Sequence, residues 1–324
     1  MTAMPPVLTV TLNPAIDQTV RLGSLALGQV NRADAVRLDP GGKGVNVAGC
    51  LADWGLAVTA TGVLGRDNAP VFEAFFARKG IEDGFLRIDG ATRTNIKLVQ
   101  SAGADTTDIN LPGAPVDAAT ARALPEAVAA RAQAGGVVVL AGSVPQGLAP
   151  EIYARLTAML AAKGARVVLD TSGAPLGHGL AAAAPPFCVK PNRAELEAWA
   201  GRALPSLEAV TGAARALHEG GIALVCVSLG AEGAVFVSGE GVCVARLAAP
   251  RVVSTVGAGD ALVAGIVSAL REELPLEGVA RRGVAFAAAK LGEPGANLPP
   301  RAAVLALERA AILQTEILSL RGVV

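Results

Sequence analysis

Two glycine-bounded runs in this chain join anion-friendly backbone to side chains that could move a proton or hold a charge. The first is Val253-Ser-Thr-Val-Gly-Ala-Gly-Asp-Ala-Leu-Val-Ala-Gly265, a Ser/Thr- and Gly-rich turn running straight into an apolar helical stretch. Glycines allow close approach of a ligand, and the free N–H groups at a helix start attract anions. A carboxylate beside such a place, Asp260, could take the proton of a hydroxyl attacking a phosphate held by the amides. Asp is also a good N-cap, and for an isolated Gly-Asp before a helix capping is the commoner role, so Asp260 could serve only to start the helix.

The second run is Asp39-Pro-Gly-Gly-Lys43-Gly-Val-Asn46-Val-Ala-Gly-Cys50, another glycine turn opening a helix. Lys43 and Asn46 would project from its first turn, where ammonium, amide and glycine backbone suit sugar hydroxyls or an anion. Alone, such a run is more often a loop with a solvated lysine. In Val189-Lys-Pro-Asn192-Arg-Ala-Glu195, Asn192 and Glu195 have the spacing of a capping box. The same pair could position hydrated Mg²⁺, which favours a carboxylate and keeps most of its waters. Val227-Ser-Leu-Gly230-Ala-Glu-Gly233 ends a strand in a glycine turn, either at a ligand-binding sheet edge or as a hairpin leading to Val235–Val237.

Other chemistries fail on residue type or spacing. His178 and His218 are the only histidines and sit in no ligand spacing, which argues against zinc and Ser-His-Asp sites. Leu262 stands where a dinucleotide fingerprint starting at Gly257 needs its third glycine, and Gly41-Gly42-Lys43-Gly44 lacks the P-loop frame. The net charge is zero, with 28 basic and 28 acidic residues, and aromatics make up 3%, so no nucleic-acid partner is expected. Cys50, Cys188, Cys226 and Cys243 form no CxxC pair and read as buried reduced thiols.

The elements that must carry these groups alternate. Strand-like runs at Val7–Leu12, Val137–Leu140, Val167–Asp170, Phe187–Lys190 and Ala223–Ser228 are interleaved with helical patterns such as Pro150–Lys163, Arg193–Ala200 and Leu207–Glu219. That rhythm predicts a parallel sheet covered on both faces, closed by helices over about Leu276–Leu291 and Pro300–Leu318. Gln18–Leu38 and Thr92–Leu111 instead alternate polar and apolar residues, as half-exposed antiparallel strands do. We expect one domain over residues 1–324, with a lid built from about 12–38 and 92–111. The apolar fraction of 52% invites a membrane reading. The best candidate, Val252–Leu270, is broken by Ser254, Thr255, Gly257, Gly259 and Asp260, and no signal peptide is visible. A cytoplasmic protein without a membrane partner is expected.

Taken in order along one chain, these segments resemble the carbohydrate kinase family that includes ribokinase, adenosine kinase and the minor phosphofructokinases. The Gly41–Asn46 run resembles its N-terminal signature, Ser254–Asp260 its C-terminal signature, and Asn192-Arg-Ala-Glu195 its NxxE motif. The similarity extends from about Thr9 to Asn297. Thr11-Leu-Asn-Pro-Ala-Ile-Asp17, Thr92-Arg-Thr-Asn-Ile-Lys97, Thr107-Asp-Ile-Asn110 and Ser228–Gly233 look most like the bacterial branch that phosphorylates fructose 1-phosphate. Lys97 and Asn110 favour that branch over the tagatose-6-phosphate kinases. Gln29 and Asp108 stand where the minor 6-phosphofructokinases often carry basic residues.

The resemblance implies a ribokinase-like three-layer α/β/α sandwich with a small β-sheet lid. It implies ATP, Mg²⁺ and in some relatives a monovalent cation, with transfer to the 6-hydroxyl of a phosphorylated ketohexose. Asp17 would bind sugar hydroxyls beside Gly42, Lys43 and Asn46. Arg93, Lys97 and Asn110 from the lid, with Ser143, would hold the existing phosphate. Lys190, Asn192, Ser228, Gly230, Gly233, Thr255 and Gly259 would line the nucleotide site. Glu195 with Asn192 would hold Mg²⁺ through water, and Asp260 would be the base in the Gly257–Gly259 anion hole. A homodimer through the lid is a further implication. A catalytically silent sugar-phosphate sensor is the non-enzyme alternative, and the intact Gly-Ala-Gly-Asp turn speaks against it.

Overall fold

The computed structural model describes residues 5–100 and 106–316. Its main sheet runs, in spatial order, Ile312–Glu316, Gly241–Arg246, Ala234–Ser238, Leu224–Ser228, Cys188–Val189, Arg166–Asp170, Val137–Ala141, Val7–Thr11, Val58–Gly65 and Glu82–Asp83, with Leu86–Ile88 also on Val58–Gly65. From Glu82–Asp83 to Leu224–Ser228 every pairing is parallel. The strands are apolar because both faces are covered: Val137, Val139 and Ala141 enter one core cluster, Val138 and Leu140 the other. The layering is that of a ribokinase-like α/β/α sandwich. No helix among the described residues is long and apolar enough to cross a membrane.

Three expectations need correction. The sheet is mixed, because Leu224–Ser228 turns through the 3₁₀ segment Gly230–Glu232 into an antiparallel hairpin that two further strands extend. The last helix spans Arg301–Ala310, not Pro300–Leu318; Ile312–Glu316 pairs instead with Gly241–Arg246, and residues 317–318 lie outside the described residues. Nothing in 311–316 breaks a helix, so the open sheet edge decides its conformation. The alternating segments form a separate sheet, ordered Ala35–Gly41, Ala15–Leu22, Thr94–Gln100, Thr106–Asn110, but its central pair is parallel rather than antiparallel. Residues 101–105 of the second segment lie outside the described residues.

Register divides the small sheet into two faces. Asp39, Asp17, Asn95 and Asn110 stand opposite one another on the face toward the main sheet's carboxyl edge. Leu38, Gln18, Ile96 and Ile109 stand on the other face. All four cysteines are buried and unpaired.

Candidate active site

The chemistry-bearing side chains gather where the parallel strands end, the side on which open α/β sheets bind ligands. Asn13 and Ser143 follow Val7–Thr11 and Val137–Ala141, and the Asn13 amide donates to Ser143 Oγ at 3.0 Å. Asp170 closes Arg166–Asp170, and Asn192 follows Cys188–Val189 and bridges to Ser228. The small sheet arches over this edge. Between them lies a cleft of about 330 Å³ whose walls include Lys43, Asn46, Arg93, Lys97, Ser143 and Asp260.

Gly42 starts the helix Lys43–Trp54 at φ 111°, and a Cβ there would lie 2.9 Å from Thr11 Cγ2. Only glycine allows this left-handed entry, which aims Lys43 and Asn46 into the cleft. Lys43 Nζ donates to Asp170 Oδ1 at 2.9 Å, and Lys190 Nζ approaches the same oxygen at 3.3 Å. Asp170 is 1% exposed, and its Oδ2 has no partner among the described residues. Burial alone would pull the Lys190 ammonium down, but Asp170, Glu195 and Asp260 outweigh it and raise its pKa.

Gly257, at φ 82°, is the N-cap of the helix Ala258–Arg271. Ala258, Gly259 and Asp260 therefore occupy the first helical positions, whose N–H groups have no intrahelical acceptor. No side-chain cap bond is made, so Asp260 does not start the helix as a cap. It is 7% exposed, and its Oδ2 accepts from Asn46 Nδ2 at 2.7 Å. Burial, then the nearby Asp170 charge, push its pKa up to about 6, while Asn46, Lys43 and Lys190 act the other way. Lys190 Nζ also lies under the turn, 3.8 Å from where a Cβ of Gly259 would be. Thr255 is exposed at the rim.

On the lid, Asp17 is held by Lys97 Nζ at 2.9 Å and Asn95 Nδ2 at 3.2 Å. Asn110 lies opposite Asn95 and lines the cleft. Arg93 is more occupied than its sequence suggests. Its guanidinium donates to the carbonyls of Pro14, Asn13 and Leu111 and to Asn95 Oδ1. Four of its five N–H groups are thus engaged, three of them on carbonyls of the two chain crossings at Asn13–Pro14 and Leu111. Burial lowers its pKa, with Asp17 opposing. The preceding Thr92 is clamped by Asn68, which accepts from its N–H and donates to its carbonyl, each at 2.8 Å.

Around Asn192 the capping box is complete: Asn192 Oδ1 accepts from Glu195 N at 2.8 Å, and Glu195 Oε2 from Asn192 N at 2.9 Å. Glu195 Oε1 is left over for another partner. Gly230 faces open space, whereas a Cβ on Gly233 would meet Ala245 O at 2.1 Å, so Gly233 also lets the hairpin close. Asp170 escaped sequence reasoning, although an aspartate ending an apolar strand was the signal for it.

Among the described residues no three His, Cys, Asp or Glu gather into a metal-ligand set. The donors present are single carboxylate oxygens, Asp170 Oδ2, which is buried and without a partner among the described residues, and Glu195 Oε1 at the capping box. That poverty fits Mg²⁺, which takes one or two carboxylates and completes its shell with water and phosphate oxygens.

Residues 10–303 match the family described as pfkB family carbohydrate kinase. A 1-phosphofructokinase of Xanthomonas campestris pv. campestris is 53% identical over 289 residues, covering 88% of this chain and 90% of that protein. A 1-phosphofructokinase of Rhodobacter capsulatus is 48% identical over 311 residues, 95% of this chain and 97% of the relative. Among solved structures, phosphofructokinase-2 from Escherichia coli in complex with potassium superposes with a TM-score of 0.89 at 28% identity, covering 95% of this chain and 99% of that one.

Proposed function

The chain belongs to the pfkB family of carbohydrate kinases, phosphotransferases with an alcohol acceptor, and we propose that it transfers the γ-phosphoryl of ATP to the 6-hydroxyl of fructose 1-phosphate, giving fructose 1,6-bisphosphate. The acceptor is the one named by the 1-phosphofructokinases it is similar to, at 53% and 48% identity. The observation that carries the chemistry is Asp260: buried, free of any capping duty, held by Asn46 and poised near pH 6 at the start of a helix.

In this reading the sugar lies in the cleft with its hydroxyls toward Asp17 and Asn46. Its 1-phosphate lies toward Lys97, Asn110, Ser143 and the remaining N–H of Arg93, with Lys43 nearby. ATP approaches along Lys190, Asn192, Ser228, Gly230, Gly233 and Thr255. Asp260 takes the proton of the 6-hydroxyl as the new P–O bond forms, and ADP leaves. The amides of Gly257, Ala258 and Gly259 receive the charge spreading over the transferring group. Asp170 fixes the two lysines, so that positive charge is in place before the reaction. Glu195, with Asn192, would hold Mg²⁺ through water; the ion supplies charge neutralisation to the phosphates. Residues 15–41, 94–100 and 106–110 act as a lid that excludes water from the γ-phosphate.

A monovalent cation belongs to this reading because a relative was solved with potassium. A homodimer through the lid's outer face fits its apolar residues: Val36, Leu38 and Ile109 are 56%, 52% and 44% exposed. A reducing cytoplasmic setting fits the four unpaired cysteines.

A coupled ADP-release assay with fructose 1-phosphate, fructose 6-phosphate and tagatose 6-phosphate tests the assignment. Turnover with fructose 1-phosphate at the highest kcat/KM is expected. Preference for either of the others moves the acceptor, and no turnover with any points to a sensor.

A further inference from the structure

Lys290 lies in the last turn of the helix Leu276–Leu291, where a lysine ordinarily reaches water, yet it is 2% exposed. Its Nζ donates to the carbonyl of Glu293 at 2.8 Å. Its stem passes behind the anion turn: a Cβ on Gly257 would sit 3.4 Å from Lys290 Cε. The same helix end holds the start of that turn, since the N–H groups of Val253 and Ser254 both reach Leu291 O, at 2.6 and 3.2 Å.

The titratable groups facing this ammonium come from several elements. They are Cys50 of Lys43–Trp54, Asp260 of Ala258–Arg271, Glu293 beyond its own helix and Lys97 of the lid. Burial lowers the Lys290 pKa, with Lys97 adding to it, and Cys50, Asp260 and Glu293 oppose that. Burial pushes the Cys50 thiol up to about 12, so it stays neutral and offers no competing anion.

We propose that Lys290 is a positioning residue of the transfer site: its buried ammonium is a fixed positive charge behind the Gly257–Gly259 turn, holding the turn and favouring the anion bound on its amides. A charge set in a dry place acts more strongly than one in water and needs no reorganisation when the phosphoryl group moves. The proposal rests on the kinase reading but assigns a residue that no part of that reading uses.

The test compares wild type, Lys290→Met, which keeps most of the stem, and Lys290→Ala, which leaves a gap. Lys290→Met should lower kcat about tenfold and leave KM for fructose 1-phosphate within about twofold. In Lys290→Ala, ammonium chloride should restore part of kcat, and tetramethylammonium chloride at equal ionic strength should not. Binding of inorganic phosphate, measured by calorimetry, should weaken about fivefold in Lys290→Met. That readout holds even if wild type phosphorylates no sugar phosphate, an outcome that sinks the kinase reading alone. The proposal is overturned if Lys290→Met keeps both kcat and phosphate affinity within twofold. It is also overturned if both variants lose activity only in step with melting temperature and ammonium restores nothing.

Discussion

The side-chain amide of Asn46 donates to Asp260 Oδ2 at 2.7 Å, joining the starts of two helices 214 residues apart in the chain. This bond holds one carboxylate oxygen in place and, in the proposed mechanism, leaves Oδ1 for the substrate proton. Asp260→Asn keeps the shape and removes the base. It should lower kcat at least ~100-fold while leaving ATP affinity nearly unchanged, read by coupled ADP release and by nucleotide titration. Near-normal turnover would remove Asp260 from the chemistry.

The raised Asp260 pKa sets a pH limb. If Asp260 is the proposed base, it is ionised above about pH 6, and kcat should fall as pH drops through that value. Asn46 stabilises the ionised form, so Asn46→Ala should move the limb to higher pH. A pH–rate profile with an unmoved limb would separate Asn46 from the titrating group.

The same shift has a cost for folding. A carboxyl at about 6 in the native state and 3.8 when unfolded binds more protons folded than unfolded between those values. Stability is therefore lost as pH rises from about 4 to 6, by up to about 3 kcal/mol above that window. Asp260→Asn should melt a few degrees higher than wild type at pH 8, and the gap should close toward pH 4. Equal melting temperatures at pH 8 would contradict the burial cost.

Arg93 should show a double defect. Removing a guanidinium that braces Asn13, Pro14 and Leu111 frees the base of the lid and, in the proposed reading, also removes a phosphate donor. Arg93→Ala should raise KM for the phosphosugar about tenfold or more and make the lid strands more susceptible to limited proteolysis. An unchanged KM would leave Arg93 as a brace only.

The lid's outer face offers a separate test. A charge at the exposed Leu38, as in Leu38→Asp, should convert a lid-paired dimer to monomers by light scattering and leave the fold's melting transition nearly unchanged. A dimer that survives this change pairs elsewhere.

Much of the site was legible because its parts are local. A glycine with positive φ, followed by helix-starting amides and a polar side chain within one turn, is written in consecutive residues, as at Gly42–Asn46 and Gly257–Asp260. The strands of the parallel core were legible from apolar runs, since burial on both faces leaves no alternation. Val58–Gly65 escaped because two threonines and a glycine interrupt its apolar pattern, although the whole strand is buried. Asp170 and Lys290 escaped for a different reason. Each is an ordinary residue in its own element, and only packing brings Asp170 under two lysines and turns Lys290 inward beneath Gly257. The parallel pairing of Ala15–Leu22 with Thr94–Gln100 was likewise invisible, because alternation reports exposure and not direction.

The separation of Asn46 from Asp260 bears on how the protein is made. A chain still emerging from the ribosome completes the lid side of the cleft with the strand ending at Asn110, and Ser143 soon after. The turn at Gly257–Asp260 arrives far later, after Asp170, Lys190 and the hairpin have been added. Nascent or prematurely released chains therefore lack Asp260 and the helix-start amides before it, the groups to which the proposed reading gives the transfer step.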